Sequence, residues 1–200
     1  MSEHDPAALA ASRVRAALPA PAARIALRAV TVADAAAVRG YRSRPEVAAY
    51  LGHPPLDPAG AETLVRDWVA DTRAVSAGIE LEGRLVGDVR LTVRRCSAKA
   101  PARTEEVEGW LGYAVHPELQ GRGLATEAVR EMVALALGHG RLRRLTTRVF
   151  APAVASSRLL ARLGFTHEGT ERAAVLSPEG TWWDDQWWSL LREEWAHADR

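Results

Sequence analysis

The sequence predicts a single α/β domain built on a mixed, mostly antiparallel sheet that is flanked by helices. The chain has 200 residues, of which 48% are hydrophobic, and this is enough for one core but too little for two. Segments with a period of two residues are interleaved with segments of helical period. Helices interrupt a series of hairpin-like strands, which disfavours a regular doubly wound parallel sheet.

Composition and charge exclude several classes of partner. The 26 basic and 25 acidic residues leave a net charge of +1, so the chain has no overall field to attract nucleic acid or an anionic membrane. Cys96 is the single cysteine, and neither it nor the histidines have the spacing of metal ligands. We therefore expect a cytoplasmic protein without a metal, either a monomer or a homodimer.

The domain is predicted to span residues 24–196. Residues 1–23 are rich in alanine, have weak periodicity and end in Pro19-Ala20-Pro21, so we predict a flexible N-terminal extension. They contain no apolar run typical of a signal peptide or a membrane span. A short strand follows, and Thr31 with Asp34 resembles a capping box that opens the first helix of the domain.

The remaining elements follow from local signals. Asp57 and Pro58 supply an N-cap and a first-turn proline for a second helix, and a turn at Gly83 predicts a hairpin. Further strands are predicted at 85–93, 107–115, 144–150, 166–175 and 182–191, with helices from 124 to about 138 and from 157 to 163.

A glycine-containing loop joins the strand that ends at Val115 to the helix that begins near Leu124. Its sequence is Gln-Gly-Arg-Gly-Leu-Ala-Thr, residues 120–126. The unpaired N–H groups and the dipole of a helix N-terminus favour a bound phosphate. Gly121 and Gly123 permit a close approach of the backbone to the anion and a positive φ. The loop is therefore the strongest candidate for a ligand site.

Two nucleotide-binding patterns fail at this loop. A dinucleotide fingerprint requires a third glycine or alanine where Thr126 stands, and an acidic residue at the end of the next strand, where Val149 and Phe150 stand. A Walker loop requires Gly-Lys-Ser/Thr, and that tripeptide does not occur. A nucleotide-binding structural protein is accordingly disfavoured.

The loop resembles the signature of the GNAT superfamily of N-acetyltransferases, Gln/Arg-x-x-Gly-x-Gly/Ala, which Gln120, Gly123 and Ala125 match. The resemblance covers roughly residues 25–195 and is strongest to the ribosomal-protein N-acetyltransferase-like (Rim-type) branch. Further segments that carry it are Gly112 to Pro117, Leu163-Gly164-Phe165, Glu168-Gly169, Ser189-Leu190-Leu191 and Glu194-Trp195.

The resemblance implies a sheet with splayed central strands and a direct transfer of acetyl from acetyl-CoA to a primary amine, on a protein N-terminus or a small molecule. It also implies that the Val115 N–H stabilises the oxyanion formed at the thioester. The residues it implies for the pyrophosphate are Gln120, Gly121, Arg122, Gly123, Ala125 and Thr126.

The same resemblance implies that Ser156 contacts the cofactor and protonates the departing thiolate. Serines at helix starts are also common N-caps, so capping by Ser156 or Ser157 is the alternative. The candidate bases are Glu108, Glu106 and Asp184. Two positions depart from the family pattern, since an asparagine is replaced by Ala153 and a glutamate of some ribosomal-protein enzymes by Val175. The missing asparagine and the absence of a convincing base favour one rival hypothesis, a non-catalytic acyl-CoA-binding regulatory module. Val175 argues against assuming the acceptor or the base of the ribosomal-protein enzymes.

The acceptor side is predicted to be rich in tryptophan. Four tryptophans crowd the last strand and alternate between its faces, so about half of them are expected in the core. His53, in the loop between the first two helices of the domain, lies where this fold generally contacts its acceptor, although a plain loop histidine is the favoured interpretation.

Overall fold

The structure, a computed structural model, describes residues 5–99 and 105–198. Within these residues one eight-stranded sheet has the order β1-β2-β3-β4-β5-β6-β8-β7. The strands are β1 Ala20–Pro21, β2 Ala26–Ala29, β3 Ala74–Leu81, β4 Arg84–Arg95, β5 Val107–Val115, β6 Arg144–Phe150, β7 Thr166–Leu176 and β8 Trp182–Leu191. The helices are α1 Pro6–Ala16, α2 Ala35–Arg42, α3 Pro45–Ala48, α4 Pro58–Ala70, α5 Leu124–Leu137, α6 Val154–Arg162 and α7 Arg192–Ala198.

The sheet is antiparallel at every junction except β5 and β6, which run parallel. This confirms the predicted mixed, mostly antiparallel sheet. The hairpin predicted at Gly83 is present, because β3 and β4 pair from Leu81↔Arg84 onward. No described helix has both the length and the apolar character needed to cross a membrane.

Two hydrophobic clusters lie on opposite faces of the sheet. The larger cluster includes Leu91, Leu111 and Leu145 of the strands, packed with side chains of α1, α5 and α6. The smaller cluster includes Tyr41 and Trp68 from α2 and α4, packed with Ala114 of β5. Successive residues of a strand point to opposite faces. The cluster to which a core residue belongs therefore identifies the face to which its side chain points. We call them the α6 face and the α2–α4 face.

The flexible extension predicted for residues 1–23 is wrong for α1; residues 1–4 lie outside the described residues. The Asp5 carboxylate caps α1 by accepting from the Ala7 N–H at 3.1 Å. Ala7, Ala10, Ala11 and Val14 are each at most 2% exposed and belong to the larger core cluster. Alanine allows a helix to approach a sheet closely, but its single methyl group adds little to a hydrophobic pattern, so the burial was not apparent from the sequence.

Helix starts confirm some local predictions and correct another. The Asp34 carboxylate accepts from the Thr31 N–H at 2.8 Å and from its hydroxyl at 3.0 Å, as expected of the predicted capping box, although the turn it opens is a 3-10 turn ahead of α2. Asp57 caps α4 through the Gly60 N–H at 2.6 Å. Helix α6 begins at Val154 rather than at residue 157.

Candidate active site

A slot opens in the middle of the sheet where β5 and β6 part. The two strands pair from Glu108↔Arg144 to Trp110↔Thr146 and then continue to Val115 and Phe150 without further pairing to each other. At the point of divergence the Thr147 hydroxyl donates to the Leu111 carbonyl at 2.8 Å. The unpaired edges beyond it can accept an extended ligand as an added strand.

The Val115 amide points into this slot. The His116 N–H donates to the Val86 carbonyl at 2.8 Å, so residues 86 and 116 form a hydrogen-bonded pair of the β4–β5 ladder. Hydrogen-bonded and non-hydrogen-bonded pairs alternate along antiparallel strands. The next pair, Gly87↔Val115, is therefore non-hydrogen-bonded, and the Val115 N–H and carbonyl face away from β4. Consistently, the Val115 carbonyl accepts from the Gln120 side chain at 3.2 Å.

The glycine loop lies at the end of this strand and leads into α5. Gly121 and Gly123 have φ of 73° and 80°, and Gly123 is the N-cap of α5. Side chains rarely adopt these angles, so both positions require glycine. The first N–H groups of α5 have no partner within the helix and open toward solvent at the exposed loop. The predicted helix start at Leu124 is confirmed.

Arg24 holds this loop from the side, a contact that no local sequence pattern indicates. Its guanidinium donates to the Arg122 carbonyl at 2.8 Å and to the Glu127 carboxylate at 2.9 Å. The Arg24 N–H donates to the same carboxylate at 2.6 Å. Partial burial raises the pKa of Glu127, but these donors outweigh it and the pKa lies below its usual value. The first turn of α5 is thereby tied to the turn before β2.

Ser156 and Tyr113 approach each other on the α6 face of the slot. Ser156 lies inside the first turn of α6, whose N-cap is Ala153 without a side-chain cap, so capping by Ser156 is wrong. Ser157 does not cap either, because its hydroxyl donates to Gln186 at 2.8 Å. The buried Tyr113 hydroxyl makes no hydrogen bond of normal geometry. Desolvation raises the pKa of Tyr113 to about 12, and the nearby Ser156 hydroxyl partly opposes this.

Glu108 lies at the closed end of the slot. It is 8% exposed, and its carboxylate pairs with Arg94 at 2.7 Å. Seven residues separate it from Val115 along β5, which is about 23 Å of extended strand. The structure therefore does not bring these two predicted catalytic residues together, and a base role for Glu108 is not supported. Asp184 is also engaged, because its Oδ1 accepts from the Ala173 N–H at 2.8 Å.

The slot and loop match a known family. The model of the acetyltransferase (GNAT) domain matches residues 24–166, which include the slot, the loop and Ser156. The chain belongs to the GNAT acetyltransferase family. It is accordingly an N-acetyltransferase whose acetyl donor is acetyl-CoA, and the non-catalytic alternative is set aside.

Relatives and solved structures agree with this assignment. YoaA of Bacillus subtilis, named as an uncharacterized N-acetyltransferase, is 28% identical over 84% of this chain and 94% of its own length. YdaF of Bacillus subtilis, provisionally named as a ribosomal N-acetyltransferase, is 29% identical over 67% of this chain and 70% of its own. The ribosomal-protein-S5-alanine acetyltransferase of Vibrio fischeri shares the fold, with a TM-score of 0.72, 21% identity and coverage of 88% of this chain and 97% of that one.

On the α2–α4 face of this GNAT domain an aromatic cluster stands beside the slot. Tyr50, which follows α3, stacks on Trp183 of β8 at a centroid distance of 5.5 Å, and Trp183 also contacts Phe150 at the end of β6, at 5.9 Å. The predicted alternation of tryptophans is confirmed in part, because Trp188 packs against the core on the α6 face. Trp182, however, is 60% exposed.

Next to this cluster a group of ionic side chains lies on the same face. Arg148 of β6 pairs with Glu171 of β7 and, at 2.6 Å, with Asp185 of β8. Its guanidinium stands over the ring of Trp187 at 4.2 Å. Asp185 is 3% exposed. Burial raises its pKa, with Arg148 opposing the shift. Sequence reasoning missed Asp185, because it adjoins Asp184 and only the strand phase tells their faces apart.

The loop before α4 is anchored by a buried network. Asp88 of β4 accepts from the Tyr41 hydroxyl at 2.6 Å and from Arg42 at 2.7 Å. Arg42 also lies 3.1 Å from His53 Nε2, and His53 Nδ1 lies 2.8 Å from the Pro54 carbonyl. A carbonyl only accepts, so Nδ1 carries the proton and Nε2 accepts from Arg42. His53 therefore positions the loop.

The part of the chain that the structure describes contains no assembled set of metal ligands. Across residues 5–99 and 105–198, no three His, Cys, Asp or Glu side chains are arranged to hold a metal ion. Cys96 is half-buried, and desolvation together with Glu108 raises the pKa of its thiol. A raised pKa lowers the fraction of reactive thiolate.

Proposed function

We propose that this enzyme acetylates the α-amine of a polypeptide N-terminus by direct attack on acetyl-CoA in a ternary complex. The observation that carries the proposal is the slot between β5 and β6, which begins where the two strands stop pairing and ends at the glycine loop. A donor lying in the slot presents its thioester to one face for the amine and its sulfur to the other for protonation. No covalent enzyme intermediate is required.

The donor is bound from both ends in this proposal. The amides of residues 121–126 receive the pyrophosphate at the N-terminus of α5, with the Arg24 guanidinium close by. The pantetheine arm pairs with the free edge of β5. Because the Val115 N–H faces the slot, it is our candidate for donation to the thioester oxygen as that oxygen gains negative charge.

The leaving group departs toward the α6 face. The neutral amine nitrogen bonds to the thioester carbon, the carbon–sulfur bond then breaks, and the thiolate takes a proton. As the amide forms, its nitrogen releases one proton, which replaces the one that the thiolate has taken. We assign this proton transfer to Ser156, with the Tyr113 hydroxyl as its neighbour. Two features support the assignment: Ser156 is free of a capping role, and Tyr113 has a buried hydroxyl that a ligand in the slot would satisfy.

The choice of an α-amine rests on acidity and on the relatives. An α-amine with a pKa near ~8 has a larger neutral fraction at pH 7 than a lysine near ~10.4, so it demands less of the enzyme. YdaF and the Vibrio fischeri structure carry names that refer to ribosomal substrates. Val175 replaces a glutamate of some ribosomal-protein enzymes, so we do not transfer a particular ribosomal protein to this chain.

The test is a CoA-release screen with acetyl-CoA and three acceptor classes: peptides with different N-terminal residues, polyamines and amino-sugar antibiotics. We expect turnover with unblocked peptides and none with the same peptides carrying a formylated N-terminus. Turnover restricted to polyamines or amino sugars would replace the α-amine with a small-molecule acceptor. Tight CoA binding without turnover of any amine would contradict the proposed reaction.

A further inference from the structure

Asp185 has an unusual environment for a carboxylate. It is 3% exposed, and its Oδ2 lies 2.6 Å from Arg148 Nε. Its Oδ1 is buried without a hydrogen-bond partner. Leaving a buried acceptor unpaired costs about 1–3 kcal/mol, and more for a charged group. Such a group at the edge of an active site is most simply explained by a ligand that supplies the missing donor.

The strand phase places Asp185 on the side from which the amine arrives. Its neighbour Gln186 bonds to Ser157 of α6 at 2.8 Å, so Asp185 points to the opposite face. There it shares that face with Trp183 and Trp187, two residues away on either side. Indole faces attract cations, so the carboxylate and its flanking rings suit an ammonium group.

The position of Asp185 along the slot also suits a residue that binds the acceptor. Asp185 is in register with Phe150 of β6, and continuing the β5–β6 register of Glu108↔Arg144 sets Phe150 level with Ala114, next to Val115. Neighbouring strands are about 4.8 Å apart, so Asp185 lies one strand away from the donor.

We propose that Asp185 is the catalytic residue that binds the acceptor's ammonium group through Oδ1 and takes its proton. The proposal rests on the proposed function. The ammonium transfers one proton to the carboxylate, and the neutral amine then attacks the thioester. Once the thiolate has left and been protonated, Asp185 returns its proton to solvent. Arg148 from β6 and Glu171 from β7 are the charged side chains paired around it, and Arg148 holds the carboxylate in place.

The test compares Asp185→Asn with Asp184→Asn, the adjacent carboxylate on the other face. CoA release is measured from pH 5.5 to 9.5 with an alanine-initiated hexapeptide, spermidine and kanamycin. For the amine that turns over, we expect Asp185→Asn to lower kcat/KM by about 100-fold, typical of a lost general base. The acid limb of the pH profile should disappear, while the Kd for acetyl-CoA stays unchanged. Asp185→Glu should restore part of the rate.

Further outcomes distinguish this proposal from a purely structural ion pair between Asp185 and Arg148. Equal kcat/KM and equal pH profiles for Asp185→Asn and the wild type would overturn it. If Asp185→Asn does not fold, Asp185→Glu must shift the acid limb of the profile, and an unchanged limb would overturn it. If no amine turns over, each amine is titrated by calorimetry into the CoA-saturated wild type and into CoA-saturated Asp185→Asn. Amine binding that is present in the wild type and lost in Asp185→Asn supports the proposal, and equal binding or no binding refutes it. If the wild type does not bind acetyl-CoA, that result would instead contradict the proposed function.

Discussion

Arg42 and Asp88 form an ion pair that is almost completely enclosed, with Nη2 2.7 Å from Oδ2 and exposed side-chain fractions of 9% and 0%. Asp88 is in register with Ala114, the residue before Val115, and Arg42 reaches the loop at His53. The pair thus joins the backbone beside the slot to the loop before α4.

Removing one partner of this pair should destabilise the protein strongly. Arg42→Leu leaves Asp88 buried and uncompensated, for which we expect a loss of about 3–5 kcal/mol in the free energy of unfolding. Urea denaturation measures it. The control is Arg66→Leu, which breaks the exposed Arg66–Glu62 pair and should cost about 0.5 kcal/mol or less. Equal losses for the two variants would contradict the importance of the buried pair.

The glycine loop should not tolerate a charged side chain. Gly123→Glu introduces a Cβ at φ 80° that would lie 3.3 Å from the Arg24 guanidinium, and it adds a negative charge where phosphate is expected. Calorimetry should show CoA affinity falling by at least about 100-fold, roughly 2.7 kcal/mol. Gly180→Glu has a similar φ of 81° in an exposed turn and controls for backbone strain. Unchanged CoA affinity in Gly123→Glu would refute the loop assignment.

Gly87 controls the backbone opposite Val115. A Cβ there would come within 2.5 Å of the Ala114 carbonyl and 3.1 Å of Val115 Cα, so Gly87→Ala must push β4 away from the end of β5. We expect a drop in kcat of about tenfold or more, because misplacing a catalytic donor by about 1 Å can cost up to about 100-fold. Gly40→Ala, where a Cβ meets nothing within 4 Å, is the matched control. Full activity of Gly87→Ala would contradict the proposed role of the Val115 N–H as a donor to the thioester oxygen.

Ser156→Ala separates proton donation from stability. If Ser156 protonates the thiolate, kcat should fall by about 100-fold, within the usual range for acid catalysis, while CoA affinity and melting temperature change little. Thiol release and calorimetry measure these quantities. Ser157→Ala, which removes the hydrogen bond to Gln186, is the control and should lower the melting temperature more than the rate. The reverse pattern would favour a purely structural Ser156.

Tyr113 should make stability fall at alkaline pH. Its pKa is raised from 10.0 to about 12 in the folded protein, so the unfolded chain loses this proton first as pH rises. The protonated Tyr113 hydroxyl contributes about 2.7 kcal/mol to the free energy of unfolding, for a shift of two pKa units. This contribution is complete below pH 10 and is lost as pH rises through 12. Denaturation between pH 9.5 and 11 should show a smaller decline for Tyr113→Phe than for the wild type. If the free energy of unfolding falls equally with pH in both proteins, the Tyr113 hydroxyl is exposed to solvent in the folded state.

Local signals predicted the parts of the fold that depend on one or two residues. The N-cap at Asp57, the turn at Gly83 and the positive φ at Gly123 follow from properties of those residue types, so a sequence suffices to predict them. Helix α1 was missed because Ala7, Ala10 and Ala11 are buried by close packing, and alanine contributes too little hydrophobicity to signal it.

The candidate site was predictable where one segment builds it and unpredictable where distant segments meet. The glycine loop, which we propose as the phosphate site, consists of seven consecutive residues, 120–126. Arg24 reaches that loop from 103 positions before Glu127. Glu108 lies at the start of β5, far from Val115 at its end, and pairs there with Arg94. Asp185 differs from Asp184 by the face of one strand. Such distinctions depend on register and partner strands, which a single sequence does not contain.

The junction between β5 and β6 consists of three residue pairs among the described residues, and it is where the two halves of the sheet meet. A pantetheine arm lying in the slot would supply the backbone bonds that the strands do not make to each other. Acetyl-CoA is then a structural component as well as a reactant, and we expect the melting temperature to rise with its concentration. The lifetime of the enzyme in the cell would in that case follow the supply of its own donor.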